Sequence, residues 1–246
     1  MRQKFSLRIG DHLQAADSKR FYNEQVFTEI APRYDFITRG LSFWRDAAWK
    51  RTLIQWLPGL TAPLCLDLAC GTGDISGLLA EKYTDGTIVG LDITESMLQL
   101  ARARHTQPSL SFRQGDMAAL PYADESADII TGGYALRNAP DLGVTLHEIQ
   151  RVLKPGGVAA FLDFSKPDGA FAQRVEYAVL KGWTGLWGLA LHGNHEVYSY
   201  IAESLALYPS RSELVRRFAA HGLVVQRSQL NFFGITAIIM VQKPHG

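Results

Sequence analysis

Only two cysteines occur in the 246 residues, Cys65 and Cys70. They lie five apart in one apolar segment. If that segment is a strand, its alternation sends the two side chains to opposite faces. A disulfide between them is therefore not expected, and the pair fits a reducing, cytoplasmic compartment. No uncharged apolar run reaches ~18 residues, so no membrane-spanning helix is expected. The polar stretch 1–19 carries no secretory pattern. Charge of one sign is also missing: 25 basic and 24 acidic residues leave a net +1. General attraction to nucleic acid does not follow, and no nucleic-acid partner is expected. The chain shows no internal repeat and no low-complexity linker. No cluster has metal-ligand spacing, the thiols suit zinc poorly, and no metal is expected.

What is present is a core-forming composition, 47% hydrophobic, in a length that suits one large α/β domain or a core with an inserted lid. Residues up to about 20 read as frayed or loosely helical, and 23–56 as helical, with Val26, Phe27 and Ile30 on one face. Pro58-Gly59 and Pro63 then break the chain. From there short apolar runs alternate with amphipathic stretches. Strands are expected at 64–69, 87–91, 110–113, 127–131 and 158–163. Helices are expected at 73–83, at 94–104 with Thr94 as N-cap, and at 142–153, the last ended by Lys154-Pro155-Gly156-Gly157. This β-α rhythm predicts a Rossmann-like, mostly parallel sheet with helices on both faces. The long apolar stretch 170–192 follows, then helical patterns at 196–207 and 210–221. Two final strands, 223–228 and 235–242, read as an antiparallel closing pair that brings the sheet to seven strands.

An open parallel sheet binds ligands at the carboxyl ends of its strands, near the point where strand order reverses. The turn after the first strand reads Asp67-Leu68-Ala69-Cys70-Gly71-Thr72-Gly73-Asp74. Gly71 and Gly73 allow positive φ and close approach of the backbone to a ligand. A dinucleotide would place its pyrophosphate here, but Asp74 stands beside the glycines. Like charges at ~4 Å cost on the order of 4 kcal/mol at an effective dielectric of 20. Ser76 occupies the place of the dinucleotide fingerprint's third glycine. S-adenosylmethionine has no phosphate and carries a sulfonium and an ammonium, which Asp67 suits. The competing reading is a plain tight turn.

Asp92 ends the second strand, 21 residues beyond Gly71, where an acid accepts from two ribose hydroxyls. Ile93, next in the chain, is counted with it. The alternative is a carboxylate favoured by a helix N-terminus. After the third strand, Asp116 offers an acceptor for an adenine amino group and Met117 a thioether for its ring. Gly-Asp is also ordinary turn chemistry.

The residues at these points match a known pattern. The chain resembles the ubiquinone/menaquinone biosynthesis C-methyltransferases, a class I S-adenosylmethionine-dependent family, over roughly residues 26–242. The markers are Val26-Phe27, Tyr34-Asp35, Ser42-Phe43, Trp49-Lys50, the glycine turn, Asp92-Ile93-Thr94-Glu95-Ser96-Met97-Leu98, Ala119-Leu120-Pro121-Tyr122, Leu136-Arg137-Asn138, the Lys-Pro-Gly-Gly turn and Phe164-Ser165-Lys166-Pro167. The resemblance implies cofactor contacts at Thr72, Asp92, Asp116, Met117 and Gly133, and methylation of a ring carbon on a polyprenylated hydroquinone. The pattern departs at 42–48, where the family has Ser-Phe-Gly and then His-Arg. It departs again at Gly133, where serine is usual, and at 234–240.

Methyl transfer is an in-line displacement, and holding donor and acceptor collinear supplies ~7–11 kcal/mol. A ring carbon becomes nucleophilic when a neighbouring phenol ionises, so the site needs a group that stabilises phenolate or takes its proton. Arg137 is the first candidate for phenolate stabilisation, against a structural ion pair. Asn138 is placed to orient an oxygen. Tyr34 either closes over the cofactor or merely packs. His192 or His195 is a candidate base, against ordinary loop histidines.

Two regions are expected: a helical segment 1–60 covering the active site, and a cofactor domain 61–246 with a helical lid at about 168–208. The stretch 171–191, with Trp183, Trp187 and three glycines, fits the lining of a tunnel for a small apolar, prenylated aromatic. It equally fits a peripheral membrane contact, a core helix or homodimer packing. The glycines argue against a regular helix there. Two further functions stay open: methylation of another apolar aromatic or secondary metabolite at O, N or C, and a non-methylating protein that retains S-adenosylmethionine.

Overall fold

The computed structural model describes residues 16–31, 34–192 and 196–245. Three helices lead in: α1 (Ala16–Ile30), α2 (Tyr34–Leu41) and α3 (Asp46–Trp56). The helical stretch expected over 23–56 is thus interrupted. At 42–45 Phe43 and Trp44 take left-handed φ of 51° and 60°, which an α-helix does not accept.

The alternating core follows as β1 (Leu64–Leu68), α4 (Asp74–Lys82), β2 (Thr87–Asp92), α5 (Glu95–Arg104), β3 (Leu110–Gln114), β4 (Ala127–Gly133), α6 (Leu142–Val152) and β5 (Leu153–Phe164). Then come α7 (Ala170–His192), α8 (Glu196–Leu207), α9 (Arg211–Ala220), β6 (Val224–Asn231) and β7 (Thr236–Gln242). The seven strands are ordered β3-β2-β1-β4-β5-β7-β6. Strands β1 to β5 are parallel, and β7 runs antiparallel to both β5 and β6.

Strand alternation splits the core between the two faces. Leu66, Ile130, Ala159, Phe161 and Val241 pack with Leu146 and Ile149 of α6, Leu205 of α8 and Phe218 of α9. Cys65, Ile129, Val158, Ala160 and Ile238 pack with Trp49 and Leu53 of α3 and Leu79 of α4. Neighbouring strand residues fall in different clusters because successive side chains point to opposite faces. Both cysteines are free thiols.

Three local expectations are corrected. The Lys-Pro-Gly-Gly segment lies inside β5. Pairing jumps from Ala127–Leu153 to Ile129–Val158, so the segment is an expansion of the strand, turned by Gly156 at φ +79°. The glycines of α7 do not break it: it runs as a 23-residue helix. A Cβ at Gly182 or Gly185 would meet nothing, so these glycines serve no close contact. Thr94 stands at the N-cap of α5 but makes no side-chain cap bond; its amide donates instead to Asp92 Oδ1 at 2.8 Å. No described helix is long and apolar enough to cross a membrane.

Candidate active site

The strand order reverses between β1 and β4, and the conserved geometry of such sheets opens a crevice there. The turn after β1 is tied to β2 twice. Cys70 N donates to Leu91 O at 2.9 Å, and Gly71 N donates to Asp92 Oδ2 at 2.8 Å. Gly71 and Gly73 take φ of +55° and +85°, where glycine avoids the Cβ clash of other residues.

Asp67 is 1% exposed. It accepts from Ser76 Oγ at 2.6 Å and from Thr131 Oγ1 at 2.9 Å, binding α4 and β4 to β1. Burial raises its pKa to about 6 against the opposing pull of these donors. Ser76 is therefore a partner of Asp67, beyond being an absent glycine. Asp74 also differs from its reading in the sequence. Its carboxylate meets Lys50 Nζ at 2.8 Å and Arg104 Nη1 at 3.1 Å. Burial works against its charge, but the two cations outweigh it and hold the pKa below the usual range. A carboxylate so paired is a poor barrier to phosphate, so the repulsion attributed to Asp74 is largely cancelled.

A crevice of about 60 Å³ is lined by Gly71, Asp92, Ile93, Asp116, Met117 and Gly133. The carboxyl ends of four strands, β1 to β4, thus deliver the residues that the sequence placed together. Asp116 is held by Ala118 N at 2.8 Å and by Arg20 of α1 at 3.2 Å. A smaller cavity of about 20 Å³ adjoins Asp67, Thr72, Asp74, Gly133 and Tyr34. Gly73 lines neither; a Cβ there would strike Phe112 at 2.8 Å, so its bare Cα serves packing.

These residues fit S-adenosylmethionine. Each Asp92 oxygen has spent one lone pair, on Gly71 N or Thr94 N, and keeps another for a vicinal diol. A Cβ at Gly133 would come within 2.8 Å of Ile75, so the wall there is bare backbone.

A third cavity, about 240 Å³, is lined mainly by apolar side chains, among them Val26, Ile37, Phe43, Phe164, Trp183 and Phe232. Phe27, Tyr34, Tyr134 and Asn138 line both this cavity and the crevice. Tyr34 lies 3.7 Å from the position of a Cβ on Gly71, and burial raises its pKa to about 12.

Arg137 is 4% exposed. Its Nε lies 3.7 Å from Asp163 Oδ1, its Nη1 donates to Ser204 Oγ, and its Cζ lies over the rings of Phe164 and Tyr200 at 5.2 and 5.4 Å. It is both an ion-pair residue and part of the cavity wall. Asn138 Oδ1 accepts from Tyr200 OH at 2.7 Å and its Nδ2 donates to Tyr134 O at 2.8 Å. His195 lies outside the described residues, as does the side chain of His192. No group among the described residues could hold a metal.

Several lining residues escaped the sequence reading. Tyr134 and Phe164 stand at the carboxyl ends of β4 and β5, so the strand-end rule would have found them. Arg20 and Asn23 gave no such signal. Asn23 donates to Asn138 O at 2.8 Å through a fold-back of α1.

A glycine turn after β1, an acid ending β2, a second after β3 and this strand order define a class I S-adenosylmethionine-dependent methyltransferase. The model of the ubiE/COQ5 methyltransferase family matches residues 14–243, and the chain belongs to that family. It is 34% identical over 231 residues to a demethylmenaquinone methyltransferase of Desulfitobacterium hafniense, covering 92% of this chain and 91% of the relative. It is 34% identical over 226 residues to a 2-phytyl-1,4-naphtoquinone methyltransferase of Thermosynechococcus vestitus, covering 89% and 98%. Among solved structures, magnesium protoporphyrin IX methyltransferase of Synechocystis with bound SAH shares the fold at a TM-score of 0.58 and 17% identity, over 80% of this chain and 83% of that one.

Proposed function

We propose that the protein methylates a ring carbon of a prenylated hydroquinone of the menaquinone type. The observation that carries this reading is the 240 Å³ apolar cavity, which shares Tyr34, Tyr134, Phe27 and Asn138 with the cofactor crevice. The two relatives described above act on quinone precursors by name. When bound, S-adenosylmethionine supplies an electrophilic methyl group. Asp92 holds the ribose, Asp116 and Met117 the adenine, and Gly71, Thr72 and Gly133 leave room for the rest. Arg137 stabilises phenolate charge at the cavity wall, and Asn138 orients it. Tyr34 excludes water over Gly71. Of the described residues, helices α1 to α3 cover the site, and α7 and α8 form its lid.

The aromatic edge beside the cavity suits entry from a lipid surface. Phe43 and Phe232 stack at 5.0 Å, and their neighbours Trp44 and Phe233 are 67% and 100% exposed. Exposed Phe171 and Leu186 of α7 offer the other use, pairing of two copies. Flotation with anionic vesicles and sedimentation without them separate the two.

The deciding experiment is labelled-methyl transfer to prenylated hydroquinones and to soluble phenols, with the methylated atom mapped. Transfer to carbon of the prenylated compounds is expected. Transfer only to O or N of soluble phenols, or none to any acceptor, would refute the reading.

A further inference from the structure

Tyr134 holds a left-handed φ of +57° at the end of β4. An aromatic residue keeps that conformation only where its surroundings impose it. Its amide donates to Leu162 O at 2.6 Å, and its side chain lines all three cavities. Its hydroxyl donates to Asp46 Oδ1 at 2.9 Å.

Asp46 is 4% exposed and pairs with Lys50 Nζ at 2.6 Å. Lys50, equally buried, reaches on to Asp74 at the start of α4. The chain Asp74–Lys50–Asp46–Tyr134, buried from Lys50 onward, therefore runs from the glycine turn to the acceptor cavity. Burying such groups is costly unless they are paired, and a phenylalanine would fill the same space without them. Asp46 also falls in the 42–48 run, where the chain departs from its family's pattern.

The Tyr134 proton points at Asp46, so the phenol oxygen keeps its lone pairs as acceptors. Burial, then the Asp46 charge, pushes its pKa well up and keeps it a neutral phenol. A hydroxyl that donates to a carboxylate is polarised into a stronger acceptor.

We propose that Tyr134 is a further catalytic residue, whose oxygen receives the proton of an acceptor ring hydroxyl as its own proton passes to Asp46. The acceptor O–H breaks and a Tyr134 O–H forms. The former Tyr134 O–H breaks and an Asp46 O–H forms. The electron pair stays on the acceptor oxygen and enriches the ring carbon to be methylated. After methylation that carbon gives its hydrogen to water, and the two hops reverse to return a proton to the acceptor oxygen. Lys50 stays charged throughout and holds Asp46 in place.

This inference rests on the acceptor being a hydroxylated aromatic, and its test separates the two. 2-Naphthol and 2-methoxynaphthalene, which lacks the O–H, are titrated into the full chain, Tyr134→Phe and Asp46→Asn. The wild type should prefer the naphthol by about tenfold, the worth of one hydrogen bond. Tyr134→Phe should bring the ratio to about one while leaving the ether's affinity unchanged. Asp46→Asn keeps an acceptor for the Tyr134 proton but takes none. It should keep the preference and lose methyl transfer to a prenylated hydroquinone by roughly tenfold or more. An unchanged preference in Tyr134→Phe, or full transfer in Asp46→Asn, overturns the relay alone. Failure of both compounds to bind the wild type overturns the aromatic reading of the cavity and the relay with it.

Discussion

The amide of Gly71 donates to Asp92 Oδ2 across 2.8 Å, joining the turn after β1 to the end of β2. The same carboxylate takes the Thr94 amide on its other oxygen at 2.8 Å. Asp92 therefore shapes the cofactor turn and the start of α5 at once, while its remaining lone pairs face the crevice.

Asp92→Ala is expected to weaken S-adenosylmethionine binding by ~1–3 kcal/mol or more, through lost charge-assisted hydrogen bonds. Calorimetry with S-adenosylmethionine and its demethylated product measures this, and NAD(H) should stay silent. Unchanged affinity would take Asp92 out of the site.

Arg137→Lys keeps a positive charge near Asp163 and removes the planar fork. Turnover should fall by about tenfold or more with cofactor affinity kept. Arg137→Ala should also destabilise the fold by ~3–5 kcal/mol, because Asp163 is left buried without its cation. Full turnover in the lysine variant would assign Arg137 a structural role only.

The two turn glycines should respond unequally to alanine. At Gly71, with φ +55°, an added Cβ finds Tyr34 at an ordinary 3.7 Å, leaving a left-handed strain of about 1–2 kcal/mol. At Gly73 the strain is joined by a 2.8 Å collision with the Phe112 ring. Thermal melting should place Gly73→Ala clearly below Gly71→Ala; the reverse order would contradict the packing.

Asp67 titrates at about 6 when folded, above its ordinary 3.8. The folded state binds the extra proton between these values, so this group's contribution to stability is full below pH ~4 and is lost as pH rises through ~6. The amount is of order 3 kcal/mol. Asp67→Asn has no such proton to lose. Denaturant unfolding from pH 4 to 6 should therefore show the variant gaining on the wild type. A constant difference would mean that Asp67 is not perturbed.

Much of the sheet was legible because a buried parallel strand is a short apolar run closed by turn residues. The candidate residues Gly71, Asp92 and Asp116 were legible as strand-end and turn residues, while Gly133 came from the resemblance to the family. The interruption at 42–45 was not, since Phe43 and Trp44 look like helix-face residues, and Phe43 stacks on Trp183 and Phe232 from distant parts of the chain. Asp74 misled because its meaning depends on Lys50 and Arg104, 24 and 30 residues away. The regular course of α7 was hidden by glycines whose propensity penalty its tertiary packing overrides.

By itself the sequence determined the order of elements and the acids and glycines in the turns that follow the strands. Periodicity and turn chemistry are local, and local spacing is enough to place them. Only the tertiary structure decided the strand order and which groups meet each carboxylate. Asp67 accepts from Ser76 and Thr131, Asp74 pairs with Lys50 and Arg104, and Asp46 with Lys50 and Tyr134, while Asp92 accepts two backbone amides and lines the crevice. A carboxylate's chemistry is set by the donors, cations and water within a few ångströms, and folding brings those from distant parts of the chain.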